Sequence, residues 1–162
     1  MDYRTAELCD RFSSTRHLMI GEPLLRSFGG NPRFHGPIST AKVFEDHALI
    51  ETILQEQGNG RILVIDGGGS HRCGLLDAET AAMAAEKGWQ GILIYGCIRN
   101  APEIRELRIG VLALHSHPLR SHARGTGERD VLITFAGINF RQGHFLYADE
   151  DGVVVCDTPL EP

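Results

Sequence analysis

The sequence predicts an α/β fold with an antiparallel β flank, and three observations carry that prediction. Between Arg61 and Tyr95 a β-branched apolar run, an Ala-rich helical stretch and a second apolar run follow one another, as in a βαβ unit with parallel strands. A shorter crossover follows, a helical turn over Pro102 to Leu107 and then a strand over Val111 to Leu114. Beyond it the pattern changes. Val131 to Phe135, Ile138 to Phe140 and Val153 to Cys156 are short strands split by Gly137, Gly143 and Gly152. The 162 residues, 42% hydrophobic and 23% charged, suit one domain over 1–162 with a core that needs no staples.

The remaining elements follow from local chemistry. Leu8 and Phe12 lie four apart on one face of a helix over Thr5 to Phe12. Phe28-Gly29-Gly30-Asn31-Pro32 is a turn, and a strand is expected over Ile38 to Phe44. Asp46 is placed to cap a helix over Ala48 to Gln57 that ends at Gly58-Asn59-Gly60. Arg61 to Ile65 reads as a buried strand running into the loop Asp66-Gly67-Gly68-Gly69-Ser70. Leu76 to Lys87 reads as the crossover helix, and Gly91 to Tyr95 as the next strand.

Composition narrows the function. Sixteen basic against 21 acidic residues give a net charge of −5, which argues against direct nucleic-acid binding and suits a basic partner. No apolar run approaches a membrane span, and no signal-peptide core opens the chain, so no membrane and a cytoplasmic location are expected. Cys9, Cys73, Cys97 and Cys156 form no C-x-x-C pair and read as reduced core thiols. His115, His117 and His122 lie close, but H-x-H without an adjoining Cys or carboxylate is a loose match to zinc spacing, and surface imidazoles are the simpler reading. Cys97 has no base spaced to activate it, and Trp89 reads as core. The loop Gly67-Gly68-Gly69 follows a strand, as in dinucleotide and methyl-donor sites, yet G-x-G-x-x-G is not met. It reads as a tight turn walling a pocket, whose backbone N–H groups could approach a carboxylate.

Several blocks then occur in a telling order: Thr5-Ala6-Glu7-Leu8-Cys9-Asp10, Ser27-Phe28-Gly29-Gly30, Phe44-Glu45-Asp46, Val64 to Ser70, Gly88-Trp89-Gln90-Gly91, Tyr95-Gly96-Cys97-Ile98-Arg99 and Tyr147 to Gly152. Together they resemble the RraA-like family, which holds regulators of ribonuclease E activity and divalent-metal 4-hydroxy-4-methyl-2-oxoglutarate aldolases. The resemblance spans almost the whole chain. It implies a swivelling β/β/α domain, assembled as a homotrimer with a pocket between neighbouring subunits.

What the resemblance implies about chemistry turns on two places. Aldolases of the family carry Gly-Asp at the start of the helix after the glycine loop. They carry Arg-Asp after the second strand, the Asp ligating Mg2+ or Mn2+ and the Arg holding substrate. A hard cation there stabilises the pyruvate enolate left by retro-aldol cleavage. This sequence has Asp77-Ala78 and Arg99-Asn100 at those places. Asp77, one residue out of register on a helix, would point about 100° away from the lost carboxylate. The expected reading is therefore a regulator that binds the ribonuclease E scaffold region and RNA helicases, aided by the acidic run Asp149-Glu150-Asp151, and needs no cofactor. Gly67, Gly68, Gly69, Ser70, Asp77, Ala78, Glu79, Thr80 and Arg99 would line a vestigial pocket with no catalytic residue. The alternative is an aldolase or oxaloacetate decarboxylase whose Mg2+ or Mn2+ sits at Asn100 and Glu103. A methyltransferase has no motif support.

Overall fold

The computed structural model describes residues 2–161. In chain order its elements are α1 Thr5–Phe12, β1 Leu18–Ile20, β2 Arg26–Ser27, β3 Phe34–Lys42, α2 Ala48–Leu54, β4 Ile62–Asp66, β5 Gly74–Leu76 and α3 Ala78–Glu86. There follow β6 Gly91–Ile98, α4 Ala101–Arg105, β7 Gly110–Ser116, β8 Glu128–Arg129, β9 Ile133–Phe135, β10 Ile138–Phe140, β11 Phe145–Asp149 and β12 Gly152–Cys156.

One mixed sheet runs β1-β12-β11-β3-β4-β6-β7-β2, with β5 added on β6 and β8 on β3, and β9–β10 form a separate hairpin. β3, β4, β6 and β7 are parallel, as the βαβ pattern required. The joint between the parallel and antiparallel parts is β3. Its first half, Phe34 to Pro37, pairs antiparallel with β11, and its second half, Ile38 to Lys42, pairs parallel with β4.

Strand alternation divides the apolar residues between two faces. Leu63, Ile65, Ile92, Ile94, Val111 and Ala113 face the three helices α2, α3 and α4 together with Trp89. Ile62, Val64, Leu93 and Leu112 face the other way, against Phe135, Ile138 and Phe140 of the hairpin and against β11 and β12. Phe34 lies flat over Gly91 and Gly110, where any Cβ would overlap its ring. A smaller cluster seats α1 on β11 and β12 through Tyr3, Leu8, Tyr147, Cys156 and Leu160.

Four differences from the sequence expectations have physical reasons. β3 begins at Phe34, because its first half is held by β11, a strand that the apolar pattern does not reveal. Leu76 is strand rather than helix: Gly74 and Leu76 pair with the end of β6, burying Leu75 and Leu76 at 4% and 1% exposure. α2 stops at Leu54, three residues early, and His47 holds the N-cap position while Asp46 Oδ1 accepts from Ala48 N at 3.1 Å. Asp149 is not part of a free acidic face. It is 5% exposed, and its carboxylate accepts from Thr5 N (2.7 Å) and Thr5 Oγ1 (2.6 Å), capping α1 from a distance. Among the described residues no helix is long and apolar enough to cross a membrane.

A candidate active-site slot at the end of β6

The candidate site forms where β5 and β6 end and three loops cross. Arg99 follows β6, and its backbone N–H donates to Leu76 O at 2.8 Å. The 117–122 loop is laid over this edge by His117 N to Ile98 O (2.8 Å), Gly74 N to Leu119 O (2.7 Å) and Ser121 N to Gly74 O (3.2 Å). His47 N donates to His122 O at 2.9 Å, which brings the start of α2 to the same loop. These ties place His47, Glu51, Asp77, Thr80, Arg99 and Arg120 around one narrow slot. The slot holds only about 10 Å³, enough for a water-sized group. Glu51, Asp77, Thr80 and Arg120 at its rim, with Arg120 paired to Asp77 at 2.5 Å, also line an adjoining outer hollow of about 410 Å³.

Asp77 does not sit on the helix as the register argument assumed. It is the N-cap of α3, with extended backbone at φ −106° and ψ 174°, and its Oδ1 accepts from Thr80 N at 2.9 Å. The turn before a helix swings its carboxylate into the slot, so the expected rotation away from the site does not arise. Burial alone would raise its pKa, but the Thr80 N–H and Arg120 outweigh burial and hold it below the ordinary aspartate value.

Arg99 is the unpaired member. Its Nε is buried with no hydrogen-bond partner, and no described carboxylate forms an ion pair with it. Beside it His47, 8% exposed, places Nδ1 2.8 Å from Ser121 Oγ and Nε2 3.6 Å from Glu51 Oε1. The Ser121 hydroxyl donates to His122 O at 3.2 Å, so it accepts from His47 Nδ1. Asp46 fixes this corner. Its Oδ2 accepts from Arg124 N (3.0 Å), Thr126 N (3.1 Å) and Thr126 Oγ1 (2.9 Å). Burial alone would raise its pKa, but the Ala48 N–H and the Thr126 N–H and hydroxyl outweigh burial and bring it to about 2.

Most of the other residues expected at the site are scattered. Thr80 joins the slot as well as the outer hollow, whereas Glu79 borders only the outer hollow and Ala78 opens α3. Asn100 takes left-handed backbone (φ 58°), a conformation Asn tolerates, and its Oδ1 accepts from Ala78 N at 3.2 Å. Glu103 is exposed on α4. Gly67, Gly68, Gly69 and Ser70 do not line the slot, and their N–H groups are not free for an anion. They donate to Tyr95 O, Asp66 Oδ1, Tyr95 O and Gly67 O respectively. Gly68 and Gly69 are needed for positive φ (68° and 71°) and for the close approach of Phe44 and Tyr95.

The donor set here does not fit Mg2+ or Mn2+. Asn100 Oδ1 caps a helix, Glu103 faces solvent, and both Asp77 oxygens are engaged beside two guanidinium groups, where a further cation is repelled. Among the described residues no three His, Cys, Asp or Glu side chains converge on a metal position. That includes His115 and His122, both exposed, and His117, whose Nδ1 accepts from Leu119 N. Burial raises the Cys97 thiol. Trp89 is core at 2% exposure, its Nε1 donating to Glu56 O. Sequence reasoning missed His47, Glu51 and Arg120; the one available signal was that His47 adjoins the helix-capping Asp46.

A slot at the strand ends defines a class, α/β proteins whose ligand sites lie at the carboxyl ends of parallel strands. Comparison makes this specific. The RraA-like family model (Aldolase/RraA) matches residues 5–155, and the chain belongs to that family. A protein of Methylococcus capsulatus with the provisional name 4-hydroxy-4-methyl-2-oxoglutarate aldolase is 57% identical over 160 residues, 99% of each chain. One of Alkalilimnicola ehrlichii with the same provisional name is 49% identical, covering 99% of this chain and 98% of its own. The solved RNA-processing inhibitor RraA from Thermus thermophilis is 41% identical with a TM-score of 0.94, over 99% of this chain and 96% of that one. The ribonuclease-regulator reading is thereby corrected, because the relatives matching at higher identity along the full chain carry the aldolase name.

Proposed function

We propose that the protein is a pyruvate-forming aldolase acting on 4-hydroxy-2-oxo dicarboxylates of the 4-hydroxy-4-methyl-2-oxoglutarate type. The observation that carries this reading is the buried, unpartnered Nε of Arg99 in a slot that admits a carboxylate or carbonyl oxygen. In retro-aldol cleavage the C4 hydroxyl loses its proton, the C3–C4 bond breaks, and its electrons move onto the C2 carbonyl oxygen as an enolate. A guanidinium aimed at that oxygen stabilises the charge as it develops. The His47–Glu51 pair is the proton-transfer element: it takes the hydroxyl proton and returns one to C3. The body of the substrate lies in the outer hollow, with Arg120 on its second carboxylate.

The working form in this reading is a homotrimer with the site between neighbouring subunits. Phe44 and Leu119, 57% and 61% exposed on segments beside the slot, are the apolar surface a neighbour would cover. Light scattering is expected to give three times 17.8 kDa.

The test is pyruvate release from 4-hydroxy-4-methyl-2-oxoglutarate, run with EDTA and with added Mg2+ or Mn2+. Release in the EDTA arm that Arg99→Met lowers by about 10²- to 10³-fold supports the assignment. Release only with added metal moves the electrophile from Arg99 to the cation, and no release in any arm overturns the function.

A further inference from the structure

On the sheet face away from the helices, the β9–β10 hairpin does not close completely onto the strands. A cavity of about 150 Å³ remains, walled by Leu25, Leu93, Leu112, Phe135, Ile138 and Phe140. The aromatic wall is stiff: the Phe135 and Phe140 rings lie 4.6 Å apart, and Tyr95 packs on Phe135 at 5.1 Å. Loop 21–25 forms the lip, tied to the hairpin by Glu22 N to Ala136 O (2.8 Å) and to β12 by Gly21 N to Val153 O (2.9 Å). A dry cavity of about 150 Å³ walled by Leu, Ile and Phe accepts benzene, because an apolar guest restores contacts that an empty space forfeits.

The mouth adds a charge preference. Glu22, Glu150 and Asp151 stand at it, all exposed, and no Lys or Arg lines the cavity. Glu150 is matched by Arg4 at 3.3 Å, while Glu22 and Asp151 have no ion-pair partner among the described residues. Asp149, also at the lip, is consumed by Thr5 and by Asp151 N. Two free carboxylates above an apolar hole suit a ligand whose ring or short alkyl chain enters while an ammonium group stays at the lip.

We propose that this cavity is a second ligand site, for a small aromatic or alkyl ammonium compound. The site is separate from the Arg99 slot in position, its rim carries carboxylates and no arginine or lysine, and it does not depend on the aldolase reading. Calorimetric titration of the full chain with benzylamine, benzyl alcohol and benzoate separates the contributions, since the three share a ring and differ in charge. Benzylamine is expected to saturate one site per chain in the millimolar range, benzyl alcohol to bind more weakly, and benzoate not to bind there. Glu22→Gln combined with Asp151→Asn, both at exposed positions, is expected to weaken benzylamine about threefold to tenfold and to leave benzyl alcohol unchanged. Arg99→Met is expected to leave all three titrations as they are. Absence of saturable benzylamine binding overturns the proposal, as does equal binding of benzoate. A change in light-scattering mass with benzylamine also overturns it, by making the cavity a contact for a second copy.

Discussion

The Arg99 slot and the apolar cavity use opposite faces and opposite parts of the same sheet. The slot is assembled from residues at element ends and in the 117–122 loop, with Glu51 and Thr80 on the first turns of α2 and α3. Backbone hydrogen bonds reaching across the chain draw them together, as from Gly74 N to Leu119 O and from His47 N to His122 O. The cavity is walled largely by strand residues whose direction follows from alternation, Leu93 and Leu112 pointing one way while Ile92, Ile94, Val111 and Ala113 point the other. The slot therefore gathers charge, because its residues meet where backbone leaves the sheet. The cavity gathers apolar surface and leaves its carboxylates at the rim. A change to a slot side chain should alter chemistry with little effect on folding, and a change to a cavity wall should do the reverse.

The largest expected effect tests that separation directly. Phe140→Ala removes a side chain 1% exposed and should cost about 3–5 kcal/mol in denaturant unfolding, with pyruvate release per folded molecule unchanged. Loss of activity in step with stability would show that the two regions are one unit. Conversely, Arg99→Met should lower pyruvate release by about 10²- to 10³-fold while moving the unfolding midpoint little, since the guanidinium Nε has no protein partner to lose. An equally large fall in stability would make Arg99 a structural residue.

Asp46 joins the slot to the fold through pH. Its carboxyl titrates at about 2 in the native state against an ordinary 3.8, so its contribution is complete above pH 3.8 and is lost as pH falls from there toward 2. Asp46→Asn should cost about 2 kcal/mol at pH 7, and the gap from wild type should close near pH 2 in urea titrations at each pH. A gap independent of pH would assign the loss to packing. The smallest expected effect is that of Asp77→Ala, about 1 kcal/mol for a lost helix N-cap. With it should come a rise in KM, as Arg120 loses its partner and moves into the slot.

Much of this arrangement is legible without coordinates. The apolar run Arg61 to Ile65, the Ala-rich stretch ending at Gly88 and the run from Gly91 imply parallel strands and a crossover by periodicity alone, and Thr5–Phe12 is helix within the expected bounds. Arg99 is reachable through its block of neighbours. Asp77 is reached only by setting the chain against the family's Gly-Asp position, and it is misplaced that way, because capping and in-helix positions differ by one residue in sequence and by the whole direction of the side chain. β1, β2, β5, β8 and β11 carry too little signal of their own. The first four have only two or three residues and gain definition from their partners, and β11 alternates too little to separate from a buried turn.

The sequence alone determined the elements with a pattern of their own: the apolar strands, the helices with a periodic face, and the glycines whose positive φ no other residue takes easily. It also determined the family, because blocks of residues in a fixed order need no coordinates to be matched. Tertiary structure decided what each charge does. Asp149 became a helix cap instead of a docking face, and Asn100 became a structural tie. Arg99 was left without a partner, while Arg120, 43 residues along the chain from Asp77, paired with that carboxylate. The physical reason is that an apolar side chain needs only a buried place, which pattern can assign. A charged or polar one is defined by the particular donor or acceptor that faces it, and that partner is set by long-range folding.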